Sequence, residues 1–454
     1  MQETRKLSVW TKIGYGVGQF SEGVAYNFFY FFYTYFLVTV VGLNPAIAGG
    51  LSGFAVLWDA LTDPIIGYLS DRCGSRRGKR RAFIGKAAVP LGMMVALICY
   101  TPPLEGVLLV VYLALVNILF WMMFTACDIP WIALGNEISS DFDEKSSLRS
   151  ISTGFMVLGQ LVASGLSLPL VSWLCTVVIS ERVAWALLGV LLGTLVALGF
   201  LASYLSTKGM DTPSPAKTRG GLGSFLAQFR ACWGVRGIKS LFCMALAACT
   251  CTGIFLSGEV FYLEIFFSLD DYAISVINVV CALVSFVLTY YVGWLAAKFD
   301  KKNVLMAHFL LAAVGFLVLW LVPGTPLSMV GTLLLFYVAD MTFWTVIFSV
   351  LSDVTELHAY REAESDMAGS ATGLISLAIK IGTAFGMWLL GVGLDLVGYS
   401  EAVTVSSGLQ MAFGSMFYLP LVLFYALAFV SVLVYPYTRK AYQSEKTDLG
   451  RSGS

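Results

Sequence analysis

The sequence predicts an all-α membrane protein of twelve transmembrane helices in two six-helix halves. Three observations carry that expectation. The chain is 58% hydrophobic and 12% charged, with mean hydropathy +0.81, whereas soluble domains carry about 25% charged residues. Twelve apolar runs follow one another, each near the ~20 residues that cross a bilayer as a helix. One long polar connection, about 206–238, divides them six and six, the organisation of carriers built from two repeats around a central cavity.

In chain order, the first run lies near 14–41 and is rich in aromatics from Phe28 to Phe36. These suit a lipid-facing helix or an aromatic-lined lateral opening. The second run, 45–70, is interrupted by Asp59 and Asp63; the third is 82–102; the fourth, 107–134, holds Asp128. Runs at 152–177 and 183–205 complete the first half, residues 1–205. The linker, 206–238, contains Pro213, Pro215 and Gly220-Gly221, which break regular structure. Residues 224–233 are patterned as a short amphipathic helix on the membrane surface. The second half, 239–435, has runs at 240–268 with Glu259 and Glu264, 273–297, 303–322, 327–352 with Asp340, 367–396 with Lys380, and 409–435. Residues 436–454 are a tail whose final five, Gly450 to Ser454, read as a cloning remnant.

Lysine and arginine gather in alternate connections, among them Arg72 to Arg81, Lys208 to Lys239 and Lys298 to Lys302, and at both termini. By the positive-inside rule both termini are cytoplasmic, in a multi-pass protein of the cytoplasmic (inner) membrane. The polar start leads into a long span without a small-residue cleavage pattern, so no cleavable signal peptide is expected.

Composition also excludes functions. Formal net charge is zero, so nothing points to a nucleic-acid partner. The nine cysteines form no CxxC pair, and the two histidines, His308 and His358, stand apart. The cysteines read as small apolar helix residues, not as a disulfide or metal framework. With no nucleophile motif, no P-loop and no histidine–carboxylate cluster, the chain is not expected to be an enzyme or to hold a cofactor. A sensor would need an added soluble output domain, which is not expected here.

Asp59 and Asp63 are the most informative residues. Four residues are about one helical turn, so both carboxylates share a face. Burying either charge in lipid costs at least ~3 kcal/mol on insertion scales. A bound cation, a lysine from another helix or a proton must offset that. Pro64 clashes with the carbonyl of Ala60 and frees an oxygen on the same helix. The turn that follows holds Asp71, Arg72, Arg76 and Arg77, which can latch helices on the cytoplasmic side. The stretch 293–302, ending Lys298-Phe299-Asp300-Lys301-Lys302, is a degraded echo after span eight. Asp128 is followed by Pro130, which loosens the helix, and Glu259, Glu264 and Asp340 add acids that suit hydroxyl-rich solutes or protons.

Taken together, several motifs in order resemble the glycoside–pentoside–hexuronide:cation symporters of the major facilitator superfamily, the melibiose permease-like carriers. They are Gly14-Tyr15-Gly16-Val17-Gly18, Val41-Gly42-Leu43-Asn44-Pro45, Trp58-Asp59-Ala60-Leu61-Thr62-Asp63-Pro64, Arg77-Gly78-Lys79, Asp128-Ile129-Pro130-Trp131 and Lys380-Ile381-Gly382. The resemblance implies the major facilitator fold and alternating access. It implies a sodium, lithium or proton site at Asp59, Thr62, Asp63 and Thr125, with sodium as the metal ion at Asp59 and Asp63, and a coupling lysine at Lys380. Solute contacts are expected from Glu22, Tyr26, Asp128, Trp131, Glu259, Asp340 and Trp344. The chain departs from the family pattern at Gly23, where an acid is usual and Glu22 precedes, and at Thr153, where an arginine is usual and Arg149 lies one turn away. The expected solute is small and polar, a glycoside or related carbohydrate, carried with sodium or protons. The alternative is a lysolipid or other amphipathic solute, because sodium-dependent lysophosphatidylcholine symporters share the paired aspartates. The expected partners are that solute, the cation and membrane lipid, with the chain acting as a monomer.

Overall fold

The computed structural model describes residues 7–71, 73, 75, 78–138, 141–178, 180–211, 230–361, 368–400 and 406–452. Helix α1, Val9–Phe28, is capped by Ser8, whose hydroxyl accepts the Thr11 N–H at 3.1 Å. It continues through two π-helical segments, Phe29–Tyr33 and Phe36–Val40. Helix α2, Pro45–Asp71, is capped by Asn44, whose side chain accepts the N–H of Ala46 at 2.9 Å. Then follow α3 (Arg81–Ile98), α4 (Gly106–Glu137), α5 (Phe142–Val177) and α6 (Glu181–Ser206). Beyond the linker lie α7 (Ile238–Phe267), α8 (Asp271–Phe299), α9 (Lys301–Trp320), α10 (Pro326–Arg361), α11 (Ala368–Leu396) and α12 (Ser407–Val434). A further helix, α13 (Arg439–Ser452), follows.

Among the described residues, helices α3 to α12 are the ten that are each long and apolar enough to span a bilayer. Helix α1 reaches Val40 only through its π segments, and α2 carries Asp59 and Asp63. In lipid the backbone must satisfy its own hydrogen bonds, which is why apolar runs of this length become helices. The chain is a multi-pass membrane protein. Two boundaries differ from expectation: α5 begins ten residues before its apolar run and α10 ends nine residues after its own. The extensions are polar turns that hydropathy does not register.

The chain divides into two compact units, Met1–Lys217 with Ser268–Ala282 and Ser400–Ala402, and Thr218–Phe267 with Leu283–Tyr399 and Val403–Ser454. In the first, α1 packs on α5 and α6, and α3 on α4 and α6. In the second, α7 packs on α11 and α12, and α9 on α10 and α12. The same pairing therefore recurs inside each unit. Glycines set the closest crossings, where small residues let backbones touch. A Cβ on Gly23 would lie 2.6 Å from the Met156 carbonyl oxygen, and one on Gly159 2.4 Å from that of Phe20. In the second unit, Cβ atoms on Gly253 and Gly386 would each lie 2.2 Å from a carbonyl oxygen, of Thr383 and Thr250. This explains the absent acid at position 23: the α1–α5 crossing has no room for a side chain there.

The aromatics of α1 are not lipid-facing. Phe28, Phe29, Phe31, Phe32, Tyr33 and Phe36 are all buried. Phe29 stacks on Phe120 at 5.8 Å and meets Trp121 edge-on at 5.0 Å, while Phe36 lies 5.2 Å from Trp185. They form the aromatic core of the first unit, since buried rings bring large apolar area to a packed interior.

Arg72, Arg76 and Arg77, and the side chain of Asp71, lie outside the described residues, as does most of 224–233. The neighbouring lysine-rich end is described. Lys79 and Arg80 both reach Glu137, at 3.3 and 2.7 Å. Asp211, just beyond α6, accepts the backbone N–H groups of Arg80 at 2.7 Å and Arg81 at 3.0 Å, satisfying donors that a helix start leaves unpaired. In the second unit Asp300 accepts the N–H of Lys302 at 3.1 Å and of Arg439 at 2.8 Å. An aspartate thus ties the third helix of each unit to the segment after the sixth, but the acid comes from opposite partners. Lys12, 2.9 Å from Glu144, joins the starts of α1 and α5, and its hydrogen bond holds the Glu144 carboxyl below its ordinary range. Asp211→Ala is expected to lower stability by about 1–2 kcal/mol, the usual effect of losing a cap, read as a lower thermal midpoint of the purified protein.

Candidate cation and solute sites

In the first unit, α2 packs on α4 and brings three oxygen-bearing side chains together. Asp59 is 5% exposed and Thr125 1%. The Thr125 hydroxyl donates to Asp59 Oδ1 at 2.6 Å and is also 2.9 Å from the Trp121 carbonyl. Thr62, three residues along α2, donates to the Asp59 carbonyl at 3.1 Å, and its oxygen lies 3.4 Å from that of Thr125. A hydroxyl has one proton and two lone pairs. When Thr125 gives its proton to Trp121, its lone pairs and the Asp59 carboxylate are available to a hard cation. Such ions take oxygen ligands. Asp63 is half-buried one turn further along α2.

Glu22 on α1 lies close enough to Asp128 on α4 to interact with it, and the Gln19 amide donates to Glu22. Asp128 is buried and Glu22 half-buried. Tyr26, one turn along α1, is half-buried against Tyr30. Trp131 departs from expectation. It is 2% exposed, its indole N–H is within 3.2 Å of the Tyr15 carbonyl and 3.1 Å of the Ser203 hydroxyl, and its ring stacks on Tyr15 at 4.3 Å. Both its N–H and its flat face are occupied by helix packing, so it offers nothing to a sugar ring. Thr153 is exposed and bonds back to its own helix at the Arg149 carbonyl, 3.0 Å away, while Arg149 reaches Asn136 at 2.9 Å.

In the second unit, Asp340 on α10 accepts from Thr252 of α7 at 2.7 Å and lies beside the Trp344 indole. Trp344 is half-buried and meets Phe343 edge-on at 5.4 Å. Lys380 on α11 and Glu264 near the end of α7 are half-buried. Glu259 is the second departure: it is 0% exposed and accepts the Tyr337 O–H at 3.1 Å. A carboxyl with no accessible surface does not contact a solute in this conformation. Sequence reasoning missed Gln19, Thr252 and Tyr337. A signal existed: Thr252 and Glu259 are seven apart, and Tyr337, Asp340 and Trp344 share one helix face at spacings of three and four.

A family model described as MFS/sugar transport protein matches residues 14–439. The chain is similar to the putative glycoside/cation symporter YagG of Escherichia coli (strain K12), 34% identical over 167 residues. That match spans 37% of this chain and 36% of YagG's length. It is 22% identical over 395 residues to the isoprimeverose transporter of Lactiplantibacillus pentosus, covering 86% of this chain and 80% of that one. Among solved structures, a bacterial homolog of the human lysosomal transporter Spinster, inward-facing and occupied, superposes with TM-score 0.68 at 15% identity, over 94% of this chain and 95% of that chain. That likeness concerns the fold.

Proposed function

This chain belongs to the MFS/sugar transport protein family, and from that premise we propose that it is a secondary active symporter carrying a glycoside or related small carbohydrate with a cation. The observation that carries the reading is the cluster of Asp59, Thr62 and Thr125 oxygens, buried between two membrane helices. Such a cluster is expensive to bury unless something positive occupies it. Asp59, Thr62, Thr125 and the adjacent Asp63 hold the cation. Glu22, Asp128, Asp340 and Trp344 supply acceptors and a ring for hydroxyl-bearing solute, with Tyr26 beside them; few, well-placed polar groups in an apolar wall are what such sites use. Lys380 carries the compensating charge when the cation leaves. Both termini face the cytoplasm, and Asp71, Arg72, Arg76 and Arg77 act at the cytoplasmic gate. The protein works as a monomer.

A carbohydrate is favoured over a lysolipid by the burial of the α1 aromatics, which a lateral aromatic-lined entrance would need at the surface. The coupling ion is tested by thermal stability in sodium chloride against choline chloride at equal ionic strength. A ligand at 100 times its Kd stabilises by about 2.7 kcal/mol. A sodium-specific shift, lost in Asp63→Asn, supports sodium, and glycosides are then screened in sodium by uptake into proteoliposomes. A proton-coupled carrier shows no sodium shift and accumulates solute under an imposed pH gradient. Accumulation under neither gradient would overturn the reading.

A further inference from the structure

Glu259 has no place in the cation or solute sites, yet it lies in the interior of the second unit. Its relative exposure is 0%. Its Oε2 accepts the Tyr337 hydroxyl at 3.1 Å, and its Oε1 has no hydrogen-bond partner among the described residues. Helix α7 packs against α10, α11 and α12, so titratable groups on all four bear on it. On α10, Tyr337 is the donor, and Asp340 is engaged by Thr252. On α11, Lys380 makes no pair with Glu259. On α12, Tyr418 bonds Tyr262 at 2.9 Å and Thr332 at 2.8 Å, leaving Tyr425, which does not reach Glu259. On α7 itself, Cys249, Cys251 and Glu264 are not among its hydrogen-bond partners. Between Glu259 and the polar Thr252–Asp340 contact, α7 and α10 also meet through apolar rings, with Phe255 stacked on Phe336 at 3.7 Å.

An ionised carboxylate held by one neutral hydroxyl is poorly compensated, because removing a charge from water without a partner costs far more than one hydrogen bond returns. The neutral acid fits: its O–H needs no counter-charge and its carbonyl oxygen accepts from Tyr337. We propose that Glu259 and Tyr337 form a proton-binding site in the second unit, separate from the cation site on α2 and α4. The carboxyl carries its proton in the conformation described here and releases it to water when α7 and α10 part. Release breaks the carboxyl O–H bond, leaves the electron pair on Glu259 as carboxylate, and passes the proton to water. The site stands whatever the solute and whatever ion binds Asp59.

Infrared spectroscopy of the full-length protein in lipid tests this. A protonated carboxylic acid has a carbonyl-stretch band resolved from amide and carboxylate bands. The band is expected at neutral pH, to bleach reversibly as pH is raised, and to be missing in Glu259→Gln. In Tyr337→Phe it should remain but move to higher frequency, because its hydrogen bond is gone; this variant serves if Glu259→Gln does not fold. Asp340→Asn should leave it in place. An unchanged band in Glu259→Gln, no frequency change in Tyr337→Phe, or a band that persists until the protein unfolds would each overturn the proposal.

Discussion

Asp59→Asn is expected to abolish cation-driven accumulation, bringing the internal-to-external solute ratio to one, while solute exchange continues. Exchange moves no net cation, so it does not need the carboxylate. The fold should survive, because the asparagine carbonyl oxygen still accepts from Thr125, which donates to Asp59 Oδ1 at 2.6 Å. What is lost is the negative charge in a buried site, where a cation has no water to replace it. Thr125→Val should act in the same direction but less. It removes one neutral oxygen ligand, and an interaction of about 1.4 kcal/mol lost from the bound state is roughly tenfold in cation affinity. Counterflow and gradient-driven uptake in proteoliposomes separate the two quantities. Wild-type accumulation by Asp59→Asn would remove this aspartate from the coupling mechanism.

Gly159→Leu is expected to have the largest effect on stability. Its Cβ would sit 2.4 Å from the Phe20 carbonyl oxygen and 2.9 Å from the Val24 nitrogen. Both atoms are backbone, so no rotamer relieves the contact and α1 itself must move. Inserting even single methylenes into packed interiors costs about 1–3 kcal/mol, and here a whole isobutyl group is added. Loss of monodisperse protein on size-exclusion chromatography is the expected result. Gly154→Leu on the same helix is the control, since nothing lies within 4 Å of its added Cβ. The milder Gly159→Ala should fold but shift Glu22 and Tyr26, which flank the crossing on α1, and so weaken solute binding more than cation binding. Equal behaviour of Gly159→Leu and Gly154→Leu would show that the two helices are not locked there.

The positions and order of the apolar helices were legible because apolar length is a local property that lipid enforces on each run separately. The shared face of Asp59 and Asp63 was legible too, because it follows from helical spacing alone. Thr62 and Thr125 came instead from family resemblance, and α2–α4 packing brings them to Asp59. Other features depend on contacts distant in sequence. Trp131 looked like a sugar platform until Tyr15 and Ser203, from two other helices, occupied it. Glu259 looked like a solute ligand until packing left it no surface. The aromatics of α1 suited lipid by composition but are buried against α4 and α6. Asp211 lay in a segment read as linker, and only folding brings it 2.7 Å from the Arg80 N–H that it caps. The sequence by itself therefore determined which segments cross the membrane and which charges they carry into it. The tertiary structure alone decided which way those groups face, because a helix carries residues on every side and only its neighbours distinguish one side from another.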